Sequence, residues 1–157
     1  MAMKSFRFRA QAALDLRRRE EEQAQRDLAR AQGDREAARL RWQAAADAAQ
    51  AARTQVDAAA REPRSVNELQ WYRFWIVRLD HERNAHAAAV AARDAAVQRA
   101  AEKLAEARVR RESLDRFKTR ARTAYDAAEA DAERKLIDEL ATQRFAAAGD
   151  RLQGERV

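Results

Sequence analysis

The sequence predicts an all-α protein, a long antiparallel two-helix coiled-coil hairpin whose second helix is longer than the first. Three observations predict it: a composition dominated by helix-forming residues, two long stretches of heptad-spaced apolar residues, and a single break between them. About a quarter of the 157 residues are Ala, and the chain contains only three Gly and one Pro. Bulky apolar residues are too sparse for an ordinary compact core, and little interrupts a helix.

The first helix is predicted over residues 8–61. Small or apolar residues recur there at alternating steps of four and three, as in a coiled-coil seam. The positions are Ala24, Leu28, Ala31, Ala38, Trp42, Ala45, Ala49, Ala52, Val56 and Ala59. Arg35 is a polar break in this seam, and Arg17 and Glu21 interrupt its extension back to Leu14. Gly33 lies inside the helix, where Gly costs about 1 kcal/mol relative to Ala.

A turn is predicted over residues 62–65. Pro63 removes a backbone donor and disfavours helical geometry at the residue before it. Ser65 and Glu68 have the Ser-x-x-Glu spacing of a capping box, in which each side chain satisfies a free amide at the start of a helix. This is the single clear break in the chain, so we expect the two helices to fold back on each other.

The second helix is predicted over residues 66–147, followed by a flexible tail over residues 148–157, within one coiled-coil unit covering residues 1–157. Its seam consists of Leu69, Tyr72, Ile76, Leu79, His86, Val90, Val97, Ala100, Leu104, Ala107 and Leu114. A helix of this length spans roughly 120 Å at 1.5 Å per residue. It is longer than the first helix, and we expect residues from about 121 onward to lack a helical partner.

Catalytic and metal chemistry is not predicted. Glycines occur only at 33, 149 and 154, so no phosphate-binding loop is present, and His81 and His86 lie on different faces of a helix. No nucleophile, base and orienting acid converge, so we expect no enzyme, no metal, no cofactor and no small-molecule substrate. The net charge of +6 raises nucleic acid as a partner. The aromatic cluster and the densest basic region lie at opposite ends of the predicted hairpin, which disfavours that class.

The stretch WYRFWI, residues 71–76, holds four of the ten aromatic residues. On a helix, Tyr72 and Ile76 point into the seam and Trp75 flanks it, whereas Trp71 and Phe74 project away. Large exposed aromatic side chains are typical anchors of protein interfaces. We therefore expect part of this stretch to hold the hairpin together and part to bind a partner.

Three segments resemble the FliJ family, the small soluble component of the flagellar type III export apparatus. The first, FRFRAQAALDLRRREEEQAQRDLA from Phe6, is similar to the opening of that family, and ERKLIDELATQRFA from Glu133 to its closing motif. The third, YRFWIVRLDHERNAH, matches a Tyr-x-x-aromatic-apolar-x-x-Leu stretch of the family. The order of these segments and their placement around one break carry the resemblance.

The resemblance implies a protein similar to the central stalk subunit of rotary ATPases, with no catalytic activity of its own. It implies binding to the hexameric flagellar export ATPase through the end that carries both termini, where the matching residues are Phe6, Phe8, Arg17, Asp138, Glu139 and Leu140. It also implies contact with the cytoplasmic domain of the export gate, a membrane protein, and escort of export chaperones. The corresponding partner-binding residues are Trp71, Tyr72, Phe74, Trp75, Leu79 and His86.

The location implied by the resemblance is the cytoplasm, with peripheral association to the inner membrane at the flagellar basal body. The absence of Cys and of a long apolar run agrees with this expectation. Two alternatives remain open. One is a generic coiled-coil scaffold or spacer, and the other is the equivalent stalk protein of a virulence type III secretion system.

Overall fold

The computed structural model of the protein describes residues 5–154, with side chains described for residues 5–146. The chain forms two helices, α1 (Gln11–Ala59) and α2 (Val66–Gly154). They contain 49 and 89 residues, and the described part of the chain contains no strand. The prediction of an all-α hairpin with a longer second helix is confirmed.

The helix bounds differ from the predicted ones by a few residues at three of the four ends. α1 begins at Gln11 rather than residue 8 because residues 5–8 are not helical, and it ends at Ala59 rather than 61. α2 begins at residue 66 and continues to Gly154, since Gly149 weakens a helix without ending it. Residues 155–157 of the predicted flexible tail lie outside the described residues, and the tail's flexibility stays a prediction.

The turn between the helices is fixed by reciprocal capping. The backbone N–H of Ser65 donates to the Glu68 carboxylate at 3.0 Å, and the N–H of Glu68 donates to the Ser65 hydroxyl at 3.3 Å. These bonds are those of the predicted capping box. At the other side of the turn, Arg64 Nε donates to the carbonyl oxygen of Ala59 at 3.1 Å, which satisfies an acceptor at the end of α1.

The chain divides into two compact units, which are described separately. The turn unit comprises residues 17–109, and the terminal unit comprises residues 1–16 and 110–157. In the turn unit the helices run antiparallel, because residues with higher numbers on α1 contact residues with lower numbers on α2. Three ion pairs illustrate this: Glu21–Arg108 at 3.5 Å, Asp34–Arg93 at 3.7 Å and Arg53–Asp80 at 2.6 Å.

The seam of the turn unit is built mainly from alanine. Its buried apolar residues are Ala38, Ala49, Ala52, Ala59 and Ala107, all at predicted seam positions. Because the Ala side chain is short, the two backbones can approach closely, but each residue removes little apolar area from water. Stability therefore accumulates over many weak contacts along the helices rather than in one dense core.

Charged residues that interrupt the seam lie near residues of opposite charge on the other helix. Glu21 is only 9% exposed, and its carboxylate meets Arg108 Nε at 3.5 Å. Further along, the Asp94 carboxylate lies 3.9 Å from Arg35 and 3.8 Å from Arg39. The predicted polar break at Glu21 is thus an interhelical ion pair, which costs less than a buried charge without a partner. At Arg35 the pairing is looser, because its buried Nε lies beyond hydrogen-bond distance of Asp94.

Gly33 is a position at which substitution should stabilise α1. A Cβ atom built on this residue meets nothing within 4 Å, so Ala fits without strain. Gly33→Ala should raise the free energy of unfolding by about 0.5–1 kcal/mol, because Ala loses less backbone freedom on folding. Urea denaturation followed by circular dichroism measures the change.

The matched control is Ala37→Gly, an exposed position on the same helix. It should lower the urea midpoint by a similar amount. A Gly33→Ala protein with a lower midpoint than the wild type would show that α1 requires Gly at this position.

Candidate interaction surfaces

The aromatic surface, formed by Trp71, Tyr72, Phe74 and Trp75, lies on the first turns of α2. Trp71 is 60% exposed and Phe74 is 73% exposed, whereas Tyr72 and Trp75 are half-buried. The Trp71 ring stacks on Trp75 at 5.5 Å and meets Tyr72 edge-on at 5.3 Å. Trp71 and Phe74, predicted to project away from the seam, are exposed, whereas Tyr72 and Ile76, predicted to lie in it, and Trp75, predicted to flank it, are half-buried.

A residue of the turn, Arg64, contacts the aromatic surface. The Arg64 guanidinium lies over the Tyr72 ring, 5.8 Å from its centroid, while its Nε holds the Ala59 carbonyl. The Arg64 side chain therefore connects the turn to the end of α1 at Ala59 and to the aromatic surface at Tyr72. Sequence analysis missed Arg64, because an Arg after Pro has no specific pattern that marks it as a cap.

Other apolar residues on the first turns of α2 are also exposed. Val66 is 70% exposed, Leu69 43% and Val77 65%. Leu79 and His86, the other two residues expected to bind a partner, are half-buried further along α2. An exposed group of apolar side chains of this kind is typical of a protein interface rather than of a free surface.

A second feature of the turn unit is a shallow groove around Trp42. Its volume is about 350 Å³, and its lining residues are Glu36, Arg39, Leu40, Trp42, Gln43 and Val90. Trp42 was assigned to the seam, but it is 37% exposed, because an indole does not fit between helices spaced by alanine. Sequence analysis missed the groove, although a Trp in a seam of small residues was a signal for it.

In the terminal unit, one segment of α2 is exposed on all its residues. This segment, here named the lone segment, comprises residues 130–146. It carries large apolar side chains that include Leu136, Ile137, Leu140 and Phe145, which are 56%, 57%, 47% and 86% exposed. At about 100° per residue, Leu140 lies about 40°, Ile137 about 100° and Phe145 about 180° from Leu136, so the large apolar side chains cover about half of the helix circumference.

Acidic residues are interspersed with these apolar ones. Residues 123–141 contain six acidic and two basic side chains. Asp138, Glu139 and Leu140, expected to face the ATPase, are exposed on the lone segment. An exposed apolar face that covers half of a helix is normally covered by other protein, so this segment is a candidate for binding a partner.

The lone segment begins later than expected, because residues 5–10 cover α2 as far as Tyr125. Phe6 packs on Tyr125 and Phe8 on Phe117, each with ring centroids 5.5 Å apart. The sequence predicted that α2 lacks a helical partner from about residue 121, and α1 begins only at Gln11, whose side chain meets Lys118. The cover beyond that point comes from the non-helical residues that precede α1.

Phe6 and Phe8, expected to face the ATPase, are therefore half-buried against α2. Arg17, the third residue from the N-terminal region in that set, belongs to the turn unit. It is half-buried, and its guanidinium donates to the Glu20 carboxylate at 2.8 Å. Of the six residues named for the ATPase, three are exposed and three have contacts within the chain.

Other types of site are not found among the described residues. No group of three or more His, Asp or Glu side chains within residues 5–146 is arranged to hold a metal ion. Within the same part of the chain, none of the helices combines the length and the apolar character needed to cross a membrane.

Comparison with known proteins identifies one family. The family model described as Flagellar FliJ protein matches residues 6–150, nearly the whole chain. No curated protein and no solved structure matches the chain. The match includes the aromatic surface, the residues that cover α2 and the lone segment.

Tyr125 gives a pH-dependent readout of the terminal unit. Its hydroxyl donates to the Glu129 carboxylate, which raises the pKa of the phenol above its ordinary 10.0; burial and the charge of Glu129 act in the same direction, and Arg122 opposes them. Because the folded pKa exceeds the unfolded one, the stabilisation is fully present below about pH 10 and is lost as the pH rises through the folded value.

Glu129→Gln should bring the Tyr125 pKa down towards 10, since the neutral amide no longer repels phenolate. Titration of the tyrosine ring signals by NMR measures this pKa. Glu133→Gln, a change of the same type at an exposed position, should leave it unchanged. An equal shift in both variants would show that net charge, not the hydrogen bond, sets the pKa.

Proposed function

Because the chain belongs to the FliJ family, we propose that it is the stalk-like partner of the hexameric flagellar export ATPase. Membership of the family makes it a component of the flagellar type III export apparatus. In this role the protein has no catalytic activity and needs no cofactor or small-molecule substrate. The observation that carries the proposal is the lone segment, a single helix whose apolar residues point in several directions.

The ATPase-binding residues are proposed as follows. Asp138, Glu139 and Leu140 contact the ATPase directly, since they are exposed on the lone segment. Phe6 and Phe8 contribute from the same unit, and Arg17 contributes from the turn unit. A ring-shaped hexamer suits a helix whose exposed apolar side chains cover about half of its circumference, because a ring can contact the helix on more than one side.

The aromatic surface is proposed to bind the cytoplasmic domain of the export gate. The residues concerned are Trp71, Tyr72, Phe74, Trp75, Leu79 and His86. Trp71 and Phe74 offer the exposed area that anchors an interface, and the half-buried members hold them in place. The protein would then act in the cytoplasm, peripherally associated with the inner membrane at the basal body, and escort export chaperones there.

The ATPase proposal is tested by hydrolysis measurements. Full-length protein should increase hexamer formation and ATP hydrolysis by the cognate export ATPase, and truncation after Ala132 should abolish the effect because it removes Leu136, Ile137 and Leu140. Leu140→Asp should weaken binding by about tenfold, the loss of one interface anchor.

The control for this experiment is Leu40→Asp, the same substitution at an exposed position of the turn unit. It should stimulate hydrolysis as the wild type does. Failure of the full-length protein to change either hexamer formation or hydrolysis would contradict the ATPase assignment and favour a coiled-coil spacer.

The gate proposal is tested by the double variant Trp71→Ala with Phe74→Ala. Since both side chains are more than half exposed, helicity and ATPase stimulation should be unchanged, while affinity for the gate domain should fall by tenfold or more, about 1.4 kcal/mol per factor of ten. Calorimetric titration with the isolated gate domain measures the affinity.

Leu40→Ala serves as the matched control away from the aromatic surface, and it should leave gate affinity unchanged. A marked loss of thermal stability in the double variant would instead assign Trp71 and Phe74 to the packing of the hairpin.

A further inference from the structure

The covering residues 5–10, here named the strap, precede the first helix. Residues 5–8 have no regular secondary structure, and exposure alternates along the strap: Ser5, Arg7 and Arg9 face solvent, while Phe6, Phe8 and Ala10 are half-buried. An extended chain places every second side chain on the same side. The sequence FRFRA therefore puts both phenylalanines on α2 and both arginines in water.

The strap contacts α2 through its two phenylalanines, and the first residue of α1 holds its base. At its base, Lys118 Nζ donates to the Gln11 side-chain oxygen at 2.8 Å. Phe8 then packs on Phe117, and Phe6 packs on Tyr125. The Arg122 guanidinium lies 5.3 Å from the Phe6 ring centroid and 6.0 Å from that of Tyr125, so it contacts both rings at the far end.

These contacts extend the cover of α2 towards the lone segment. The first residue of α1, Gln11, reaches Lys118, so α1 alone leaves the following turns of α2 without a partner in the terminal unit. With the strap in place, Ala121, Tyr125 and Glu129 are half-buried, and full exposure begins at residue 130. Long helices without tertiary contacts fray, and packing on one face is what keeps them formed.

We infer that the strap is a brace and that Phe6 and Phe8 are positioning residues, which act on the ATPase only by holding α2 rigid at the base of the lone segment. The inference rests on the proposed function and changes the roles of these two residues within it. Their rings are half-buried against Tyr125 and Phe117, and the exposed residues of the strap are Ser5, Arg7 and Arg9.

The first test uses hydrogen exchange on the free protein. Phe6→Ala with Phe8→Ala should make the amides of residues 114–129 exchange at least about tenfold faster, because local opening becomes easier when packing is lost. The same variant should bring the Tyr125 pKa closer to 10 and reduce ATPase stimulation. Phe6→Leu with Phe8→Leu, which keeps apolar contacts, should restore most of the protection and the stimulation.

Arg7→Ala with Arg9→Ala is the matched control on the other side of the strap. It should leave exchange in residues 114–129 and the Tyr125 pKa unchanged. Unchanged exchange in the Phe6→Ala, Phe8→Ala protein together with lost stimulation would overturn the inference, since the rings would then touch the ATPase directly. Faster exchange with full stimulation would also overturn it, because the brace would then have no role in binding.

The second test locks the strap in place. The chain has no Cys, so Phe8→Cys with Phe117→Cys creates the only thiol pair, which a short bismaleimide can bridge. The bridged protein should stimulate the ATPase at least as strongly as the unbridged variant. Loss of stimulation on bridging would overturn the inference, because the strap would have to leave α2 or Phe8 would have to reach the ATPase.

The two proposals can fail separately. If the wild-type protein does not stimulate the ATPase, the proposed function fails, and the positioning role of Phe6 and Phe8 fails with it. The exchange and pKa measurements do not involve the ATPase, so they still decide whether the strap braces α2. If the wild-type protein stimulates the ATPase but the Phe6→Ala, Phe8→Ala variant shows unchanged hydrogen exchange in residues 114–129, the proposed function holds and only the bracing role of the strap is refuted.

Discussion

The close contact of two helices through alanine is the constraint on which the turn unit depends. Ala49 and Ala52 are almost fully buried, and no side chain larger than a methyl group occupies those positions. A seam this narrow has no room for indole or phenyl rings, so large side chains are displaced to its edges or to the outside. Trp42 at the groove is exposed for this reason, although it occupies a seam position. Trp71 and Phe74 near the turn are exposed because they lie on the outer side of α2, and so thin a hairpin offers no second layer to cover them.

The same narrow seam gives charged residues a structural role. Arg and Glu side chains are long enough to reach across from one helix to the other and to cover the alanines with their methylene groups. Arg53 and Asp80 form the closest such pair, and Asp80 is also approached by Arg83 at 3.4 Å. Because these groups are partly exposed, they contribute more to the alignment of the two helices than to stability. An abundance of charge is thus compatible with a defined hairpin in a chain that has few large apolar residues.

Most of the fold could be predicted because its determinants are local and periodic. The alternation of four and three residues located both helices, and Pro63 with the Ser65–Glu68 spacing located the turn to within a few residues. The strap was not predicted, since two phenylalanines alternating with arginines are too short a pattern to outweigh strong helix formers on their carboxyl side. Of the candidate sites, the exposure of Trp71 and Phe74 followed from helical geometry. The contacts of Phe6 and Phe8 did not, because they depend on residues more than a hundred positions away.

That separation along the chain bears on how the protein folds. Contacts near the turn join residues close in sequence, such as Arg53 and Asp80, 27 positions apart, whereas Glu21 and Arg108 are 87 apart and Gln11 and Lys118 are 107 apart. Closing a longer loop costs more entropy unless nearer contacts have already brought its ends together. Pairing is therefore expected to start at the turn and to proceed towards the termini, which makes the strap the last part to close. During synthesis, Phe6 and Phe8 leave the ribosome more than a hundred residues before Phe117 and Tyr125, so the strap can complete its packing only after most of α2 has been made.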